Sequence, residues 1–415
     1  MVSPRRAETP SHFGQIRKQD RSRPRCLRVS QSVILAGVRA PFPLLLLSRD
    51  LGGGGSQRQL VEVARRIDRS QFSPHVGCFY TSGLRLQELE NARVPVTEFP
   101  VRSFRSPSVF RVAASFGRYL RENRIQIVHS FDVPMNLFAA SAARWFRAPI
   151  IISSQRASRA LTPGFYRRWL QLTDRIVDAI VVNSAAVQRE LEQEDGVPSE
   201  RLRLCYNCLD TEHFHARRPA RIEALRGATL VIGSTAMFRP EKGLSTLIEA
   251  FAKVRQDGMK LVLVGDGPLL EDLESMAKRL GVHADCLFPG PQSDVADWLR
   301  QMDIFVLPSL SEALSNSLLE AMACGCTVVA SRVGGNPELV CSTANGETGL
   351  LFEAGQAASL AQQLLILAKD ASLRERISAS AQAFVNAHFT PQQTIRCFHD
   401  IYTELLAKKG LACAA

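Results

Sequence analysis

No apolar run in this 415-residue chain approaches the roughly 18 residues that a membrane-spanning helix requires. The longest near the start, Pro43 to Leu47, has only the length of a strand. The opening residues lack the basic-then-apolar order of a secretory signal. Arg5-Arg6 has no apolar segment behind it to make a twin-arginine signal, so a cytoplasmic location is expected. A charge excess is also missing from most of the chain. Residues 1–40 hold nine Lys/Arg and two Asp/Glu, which is +7 of the total +11. The remaining +4 over 375 residues gives little support to nucleic-acid binding. The ten cysteines are irregularly spaced and read as buried cytosolic thiols, not as a disulfide framework. Cys205 and Cys208 precede His213 and His215, but the gap of four residues between the pairs is too short for a zinc finger. No metal site is expected.

At 415 residues, with 46% apolar and 22% charged residues, the chain reads as soluble, globular and two-domained. Short β-branched runs alternate with longer amphipathic segments, the pattern of parallel sheets with crossover helices. The expected strands of the first half are Pro43–Ser48, Pro74–Tyr80, Ile125–His129, Pro149–Ser153 and Ala179–Asn183. In the second half they are Thr229–Ser234, Lys260–Val264, Cys286–Phe288, Ile304–Leu307, Thr327–Ala330 and Gly349–Phe352. Helices are expected at Gln57–Ile67, Ser245–Gln256 and Leu269–Leu280. The halves meet near Asn207–Arg218, with Arg217-Arg218-Pro219 as linker. Ligands of such sheets bind outside the carboxyl ends of the strands, which here means the cleft between the halves.

Three segments carry chemistry. Glu312 and Glu320 lie eight positions apart on a loop that enters a helix, capped by Ser315 or Asn316 and ended by Gly325. Two acceptors for sugar or ribose hydroxyls thus flank a helix start suited to phosphate. Arg239 and Lys242 follow the strand ending at Ser234, where two cations can neutralise a leaving diphosphate. Gly52-Gly53-Gly54-Gly55 follows the first strand and opens a helix. It is not a dinucleotide fingerprint, because the next strand ends Cys78-Phe79-Tyr80-Thr81 without a carboxylate. Gly265-Asp266-Gly267-Pro268 reads as a structural turn. A basic stretch, Arg102 to Arg124, interleaves arginines with Phe104, Phe110, Phe116 and Leu120; its functional reading is an interfacial amphipathic helix, and that of the basic head is adhesion to anionic lipid. For the stretch, an ordinary solvated helix face is the simpler reading.

Taken together, Phe238-Arg-Pro-Glu-Lys-Gly, Val264-Gly-Asp-Gly-Pro, Asp303-Ile-Phe-Val-Leu-Pro-Ser, Glu312…Glu320-Ala-Met-Ala, Gly334-Gly-Asn-Pro-Glu and Gly349-Leu-Leu resemble family 4 glycosyltransferases. Gly54-Gly55-Ser56-Gln57-Arg58-Gln59-Leu60, Ile127-Val128-His129 and Val182-Asn183-Ser184 fit as well, and the resemblance covers roughly residues 43 to 405. It implies the α/β GT-B fold, two Rossmann-like doubly wound domains facing across a cleft. Composition gives residues 1–40 as a basic, disordered extension, and the implied parts after it are an acceptor domain (41–212), a nucleotide-sugar domain (213–390) and a final segment (391–415) crossing back to the first domain. The implied activity is retaining transfer of a sugar from a nucleoside-diphosphate sugar to a glycan or lipid-linked acceptor in polysaccharide or cell-envelope biosynthesis. Neither a cofactor nor a metal is implied, and no Asp-x-Asp motif is present. A peripheral location at the inner face of the cell membrane goes with it. Arg239 and Lys242 would contact the diphosphate, and Glu320 the ribose. Glu312 with Asn316, Ser317 and Leu318 would hold the sugar and β-phosphate, while Gly54 and Gly55 approach from the other domain. Where many members have a second histidine near the catalytic centre, this chain has Phe131. His129 is then either the remaining catalytic imidazole or a strand-end histidine. Cys208 and Ala313 replace frequent glycines. The alternatives are a GT-B nucleotide-sugar epimerase and a catalytically silent sugar-nucleotide-binding homologue.

Overall fold

Leu44, Leu45, Leu46 and Leu47 are all fully buried, and alternate residues join different clusters. Leu45 and Leu47 pack with Phe116, Val128 and Phe138, whereas Leu44 and Leu46 pack with Phe131, Phe398 and Tyr402. A parallel strand covered on both faces reads as just such an unbroken apolar run. A computed structural model describes residues 41–216 and 220–411. The basic extension 1–40 and the linker residues Arg217-Arg218-Pro219 lie outside the described residues.

The first sheet holds β1 (Phe42–Ser48), β2 (Phe72–Cys78), β3 (Val96–Glu98), β4 (Ile127–Ser130), β5 (Ile150–Gln155), β6 (Ala179–Val182) and β7 (Leu202–Leu204) in the order β3-β2-β1-β4-β5-β6-β7. The second holds β8 (Leu230–Thr235), β9 (Met259–Val264), β10 (Cys286–Gly290), β11 (Ile304–Leu307) and β12 (Thr327–Ser331). A small antiparallel hairpin, β13 (Ser342–Thr343) with β14 (Gly346–Glu347), precedes the last strand, β15 (Leu350–Phe352). Its order is β10-β9-β8-β11-β12-β15. Strand pairing within both large sheets is parallel, for example Leu44 opposite Ile127 and Ile304 opposite Thr327. Each sheet reverses direction of winding between its first and fourth strands, so the crevice opens at the carboxyl ends of β1 and β4 and of β8 and β11.

The expected strands are all present, Ile304–Leu307 with the same bounds and the others with ends displaced by at most two residues. Ile125 does not start β4, because its N–H closes the preceding helix on the Leu120 carbonyl. Phe79 and Tyr80 leave β2 because both N–H groups turn to the Arg49 carbonyl. The strands β3 and β7 and the hairpin were not expected. They are two or three residues long, and the two strands lie at sheet edges.

The helix Pro391–Lys408 has a full capping box, Thr390 with Gln393, and Pro391 at its first position. Phe398, Ile401, Tyr402, Leu405 and Leu406 repeat at helical spacing and join the Leu44–Phe72 core of the first domain. Tyr402 meets Phe72 edge to face at 5.6 Å. Arg203 pairs with Glu404 in two bonds of 3.1 and 2.7 Å, and Lys409 reaches Asp178 at 2.7 Å. This last helix therefore belongs to the first domain's core, although it follows the second domain in the chain.

His129, on β4, is the residue whose expected role changes most. It is fully buried, with Nδ1 2.8 Å from the Tyr402 hydroxyl and Nε2 2.8 Å from Ser154 Oγ. Phe131 covers it, with ring centroids 4.4 Å apart. Both nitrogens are used inside the core, so His129 does not line the cleft and its candidacy as a catalytic group is corrected. Burial, with a smaller push from Arg156, holds it well below the usual histidine range.

Two outcomes are expected. Phe398→Ala should destabilise the first domain by about 3–5 kcal/mol, read as a shifted denaturant midpoint. Because His129 is neutral when folded, its contribution is present above the unfolded value near ~6.5 and lost as pH falls below it. His129→Gln, less stable at high pH, should therefore lose less stability than wild type between about pH 7 and pH 5.

Candidate active site

The sheet topology places the loops after β8 and β11 side by side at the second domain's switch point. The first of these is anchored by Phe238, which is buried, donates its N–H to the Asp266 carbonyl at 2.8 Å and accepts from Leu269 N–H at 3.2 Å. That is the structural use of the Gly265–Pro268 turn. Arg239 then emerges in extended conformation, exposed, and forms no ion pair among the described residues. A single turn, Pro240–Lys242, turns Lys242 back to the second loop, where its Nζ lies 2.6 Å from Glu312 Oε1. Ser309 Oγ donates to the same oxygen at 2.8 Å, and Leu310 N–H donates to the Glu241 carbonyl at 2.8 Å. Gly334, with φ +50°, backs this loop so closely that a Cβ there would collide with the Glu312 carbonyl.

The loop enters the helix Asn316–Ala323, where the Ser315 hydroxyl accepts from Leu318 N–H at 3.3 Å. Ser315 is the cap, as the sequence suggested, and Gly325 ends the helix at φ +82°. Leu318 is buried in the second domain's core, while Ser317 Oγ sits 3.1 Å from Ser315 Oγ. Glu320 is nearly buried and pairs with Arg58 of the first domain. Glu320's charge, ahead of the opposing effect of burial, raises the Arg58 guanidinium further. Arg58 also lies over the Phe214 ring at 5.4 Å.

Across the cleft, β1 leads into the glycine loop, and the helix Gly55–Arg66 starts with Gly54 as a cap that offers no side-chain acceptor. Gly55 and Asn316 are thus the first residues of two helices from opposite domains. A Cβ on Gly55 would stand 2.6 Å from Asn316 Nδ2. Two positive helix ends converge on one crevice, which suits an anionic group. Asn207, from the domain junction, donates to Asn316 Oδ1 at 2.7 Å. Gly55 thus meets Asn316, Glu320 on the same helix pairs with Arg58, and Lys242 pairs with Glu312 on the loop leading into that helix; Arg239 stands exposed beside Lys242, while Leu318 and His129 are turned into the cores.

Sequence reasoning missed the groups that join the domains. Arg58 and Gln59 were within a quoted motif but carried no assigned role. Gln59 clasps the backbone of Cys208 with two bonds of 2.9 Å, from its Nε2 to the carbonyl and from Cys208 N–H to its Oε1. Glu338 accepts from the N–H groups of Ala185 and Ala186 at 2.9 and 2.8 Å and from the Tyr206 hydroxyl at 2.9 Å. These partners are more than 130 residues apart in the chain, and no local pattern announces them. The Cys205–His215 stretch forms no metal cluster among the described residues.

The family model described as Glycosyl transferases group 1 matches residues 220–384, and that for Glycosyltransferase Family 4 matches residues 53–213. N-acetyl-alpha-D-glucosaminyl L-malate synthase of Bacillus anthracis is 32% identical over 213 residues, 50% of this chain and 55% of that protein. The lipopolysaccharide core biosynthesis glycosyltransferase LpsE of Rhizobium meliloti is 31% identical over 235 residues, covering 57% and 66%. Sulfoquinovosyl transferase of Arabidopsis thaliana is 30% identical over 273 residues, covering 62% and 52%. The chain spans about half to two thirds of the length of these curated relatives. Among solved structures, Anabaena HepE in complex with UDP and glucose superposes with a TM-score of 0.76 at 23% identity, over 87% of this chain and 99% of that one. Rickettsia africae glycosyltransferase gives a TM-score of 0.76 at 18% identity, over 88% and 99%. With the two matched segments covering the second sheet, the first sheet from β2 to β7 and the loops after β8 and β11, the chain belongs to the family 4, group 1 glycosyltransferases of GT-B fold.

Proposed function

We propose that this protein transfers a hexosyl unit, with retention of configuration and without a metal, from a nucleoside-diphosphate sugar to a glycan or lipid-linked acceptor. The observation that carries the reading is the approach of two helix starts from opposite domains, Gly55 and Asn316, with Glu320 on the second helix paired to Arg58 on the first and the Lys242–Glu312 pair on the loops that lead into it. The UDP-bound neighbour of the same fold supports a nucleotide-sugar donor. Among the relatives, a transferase named for a diphospho-undecaprenol-linked sugar supports a lipid-linked acceptor.

In the reaction, an acceptor hydroxyl oxygen forms a bond to the anomeric carbon as the bond to the diphosphate oxygen breaks. The hydroxyl proton passes to the departing phosphate on the same face. Negative charge grows on that phosphate. Lys242, Arg239 and the two helix ends supply positive potential where it grows, which takes the charge-neutralising role a divalent ion has in other transferases. Glu320 accepts from the ribose hydroxyls once Arg58 has yielded it. Glu312 and the first turn at Asn316 and Ser317 hold the sugar and β-phosphate. Closure of the Gly54 loop over the donor excludes water and limits hydrolysis.

A peripheral place at an anionic membrane face fits the surface of the first domain. Phe110, Leu161, Phe165 and Leu172 are exposed, and Phe104, Phe165 and Trp169 form a chain of ring contacts at 5.4 and 6.3 Å. Exposed Arg102, Arg105, Arg111 and Arg168 accompany them. No helix of the described residues is long and apolar enough to cross a membrane.

Lys242→Ala and Glu320→Ala should remain folded, and transfer should fall by roughly 100- to 1000-fold for the first. Unchanged turnover in either purified variant would reject its assigned role. Uridine, guanosine and adenosine diphosphate sugars should be screened by thermal shift, since a ligand of the folded state alone raises the melting temperature. No shift with any donor, together with no transfer, would overturn the reading. A Phe110→Ser, Phe165→Ser double variant should lose co-sedimentation with anionic vesicles while keeping turnover on a soluble acceptor.

A further inference from the structure

Two arginines follow β5 within four residues, and the fold treats them differently. Arg159 is buried and fully compensated. Its Nη1 reaches Asp174 at 2.6 Å and Asp195 at 3.2 Å, Nη2 reaches Asp174 at 3.0 Å, and Nε donates to Gln155 at 3.2 Å. Arg156 has no carboxylate partner among the described residues. Its Nη2 donates to Asn207 Oδ1, and its guanidinium lies over the Phe131 ring at 5.7 Å. Its Nη1 is shut off from solvent and has no hydrogen-bond partner among the described residues. Burial brings the guanidinium down to about 10, so it stays charged at neutral pH, and Cys205, Cys208 and Tyr402 offset only part of that effect.

Arg156 as a whole is half-buried, but an Nη1 withdrawn from water with no anion or acceptor beside it is costly. The chain could have met the need with an acidic residue, as it does for Arg159 and for Arg58. The position of Arg156 gives the reason. It stands at the carboxyl end of β5, beside the switch-point strand β4, where ligands of doubly wound sheets lie. Its partner Asn207 is also the partner of Asn316, so Arg156 is one side chain removed from the two facing helix starts.

We propose that Arg156 receives an anionic oxygen of the substrate, from a phosphate or carboxylate, on its free Nη1. The oxygen has two sources, the donor's diphosphate or a charged group on the acceptor. The first domain would then contribute a cation that, unlike Arg58, is not already paired with a carboxylate, alongside Arg239 and Lys242 of the second. This rests on the transferase reading above.

The test compares wild type, Lys242→Ala, Arg156→Met and Arg156→Lys for melting temperature, transfer rate and nucleoside-diphosphate binding. Arg156→Met is expected to keep the wild-type melting temperature and to lose transfer about 100-fold, the scale for one charge-stabilising group. Arg156→Lys should recover part of it. Should Arg156→Met not fold, Arg156→Gln, which still donates to Asn207, gives the same reading. Loss of the thermal shift with the nucleoside diphosphate assigns the oxygen to the donor. A retained shift with a raised acceptor KM, abolished when the acceptor's charged group is removed, assigns it to the acceptor. Wild-type transfer by a folded Arg156→Met or Arg156→Gln protein, alongside an impaired Lys242→Ala, overturns this inference and leaves the functional reading standing. A wild-type protein that binds and transfers no donor overturns both.

Discussion

Two carboxylates withdrawn from water govern the centre of this molecule. A nearly buried anion needs a positive partner, and each finds one in a different way. Glu312 takes Lys242 from the neighbouring loop of its own domain, and Glu320 takes Arg58 from the opposite domain. The first pair fixes the geometry of the two switch-point loops against each other. The second draws the glycine-loop helix toward the helix Asn316–Ala323, so that Gly55 and Asn316 come into contact. On the proposed reading, a donor must offer enough hydroxyl and phosphate contacts to replace both arrangements. The cleft is thus held in shape by the same charges that bind the ligand.

What the sequence disclosed about this site was local. Ser315 as cap, Gly325 as terminator and the eight-residue spacing of Glu312 and Glu320 all act within a few turns of backbone, and local signals fix their geometry. The strands with long apolar runs were legible for the same reason. The edge strands β3 and β7 were not, because three residues carry no periodicity. His129 shows the other limit. At the end of an apolar run it has the same sequence signature whether it faces a cleft or a core. Its partner Tyr402 is 273 residues away, on a helix whose docking face only the tertiary structure reveals. The same distance hid Arg58, 262 residues from Glu320.

The replaced glycine at Cys208 takes on a meaning that the family resemblance alone did not supply. The backbone there is well held, since Gln59 pairs with both the N–H and the carbonyl of that residue, and Cys208 is not among the non-glycine residues at positive φ. Cys208 is buried in this clasp, and burial pushes its thiol up to about 12, so it is chemically quiet. The loss of glycine is compatible with an intact junction. It weakens the case for a silent homologue that the substitution first suggested.

The return of the final helix to the first domain has a mechanical consequence. The chain passes between the two lobes twice, once after Asn207 and once before Thr390, and the two passages are tied by a 2.9 Å bond from Leu209 N–H to the Phe389 carbonyl. A pair of covalent connections pinned at one point resists sliding of the lobes and leaves bending about that pivot as the soft motion. Any opening of the jaw would then be widest at the rim farthest from residues 209 and 389, and smallest beside them.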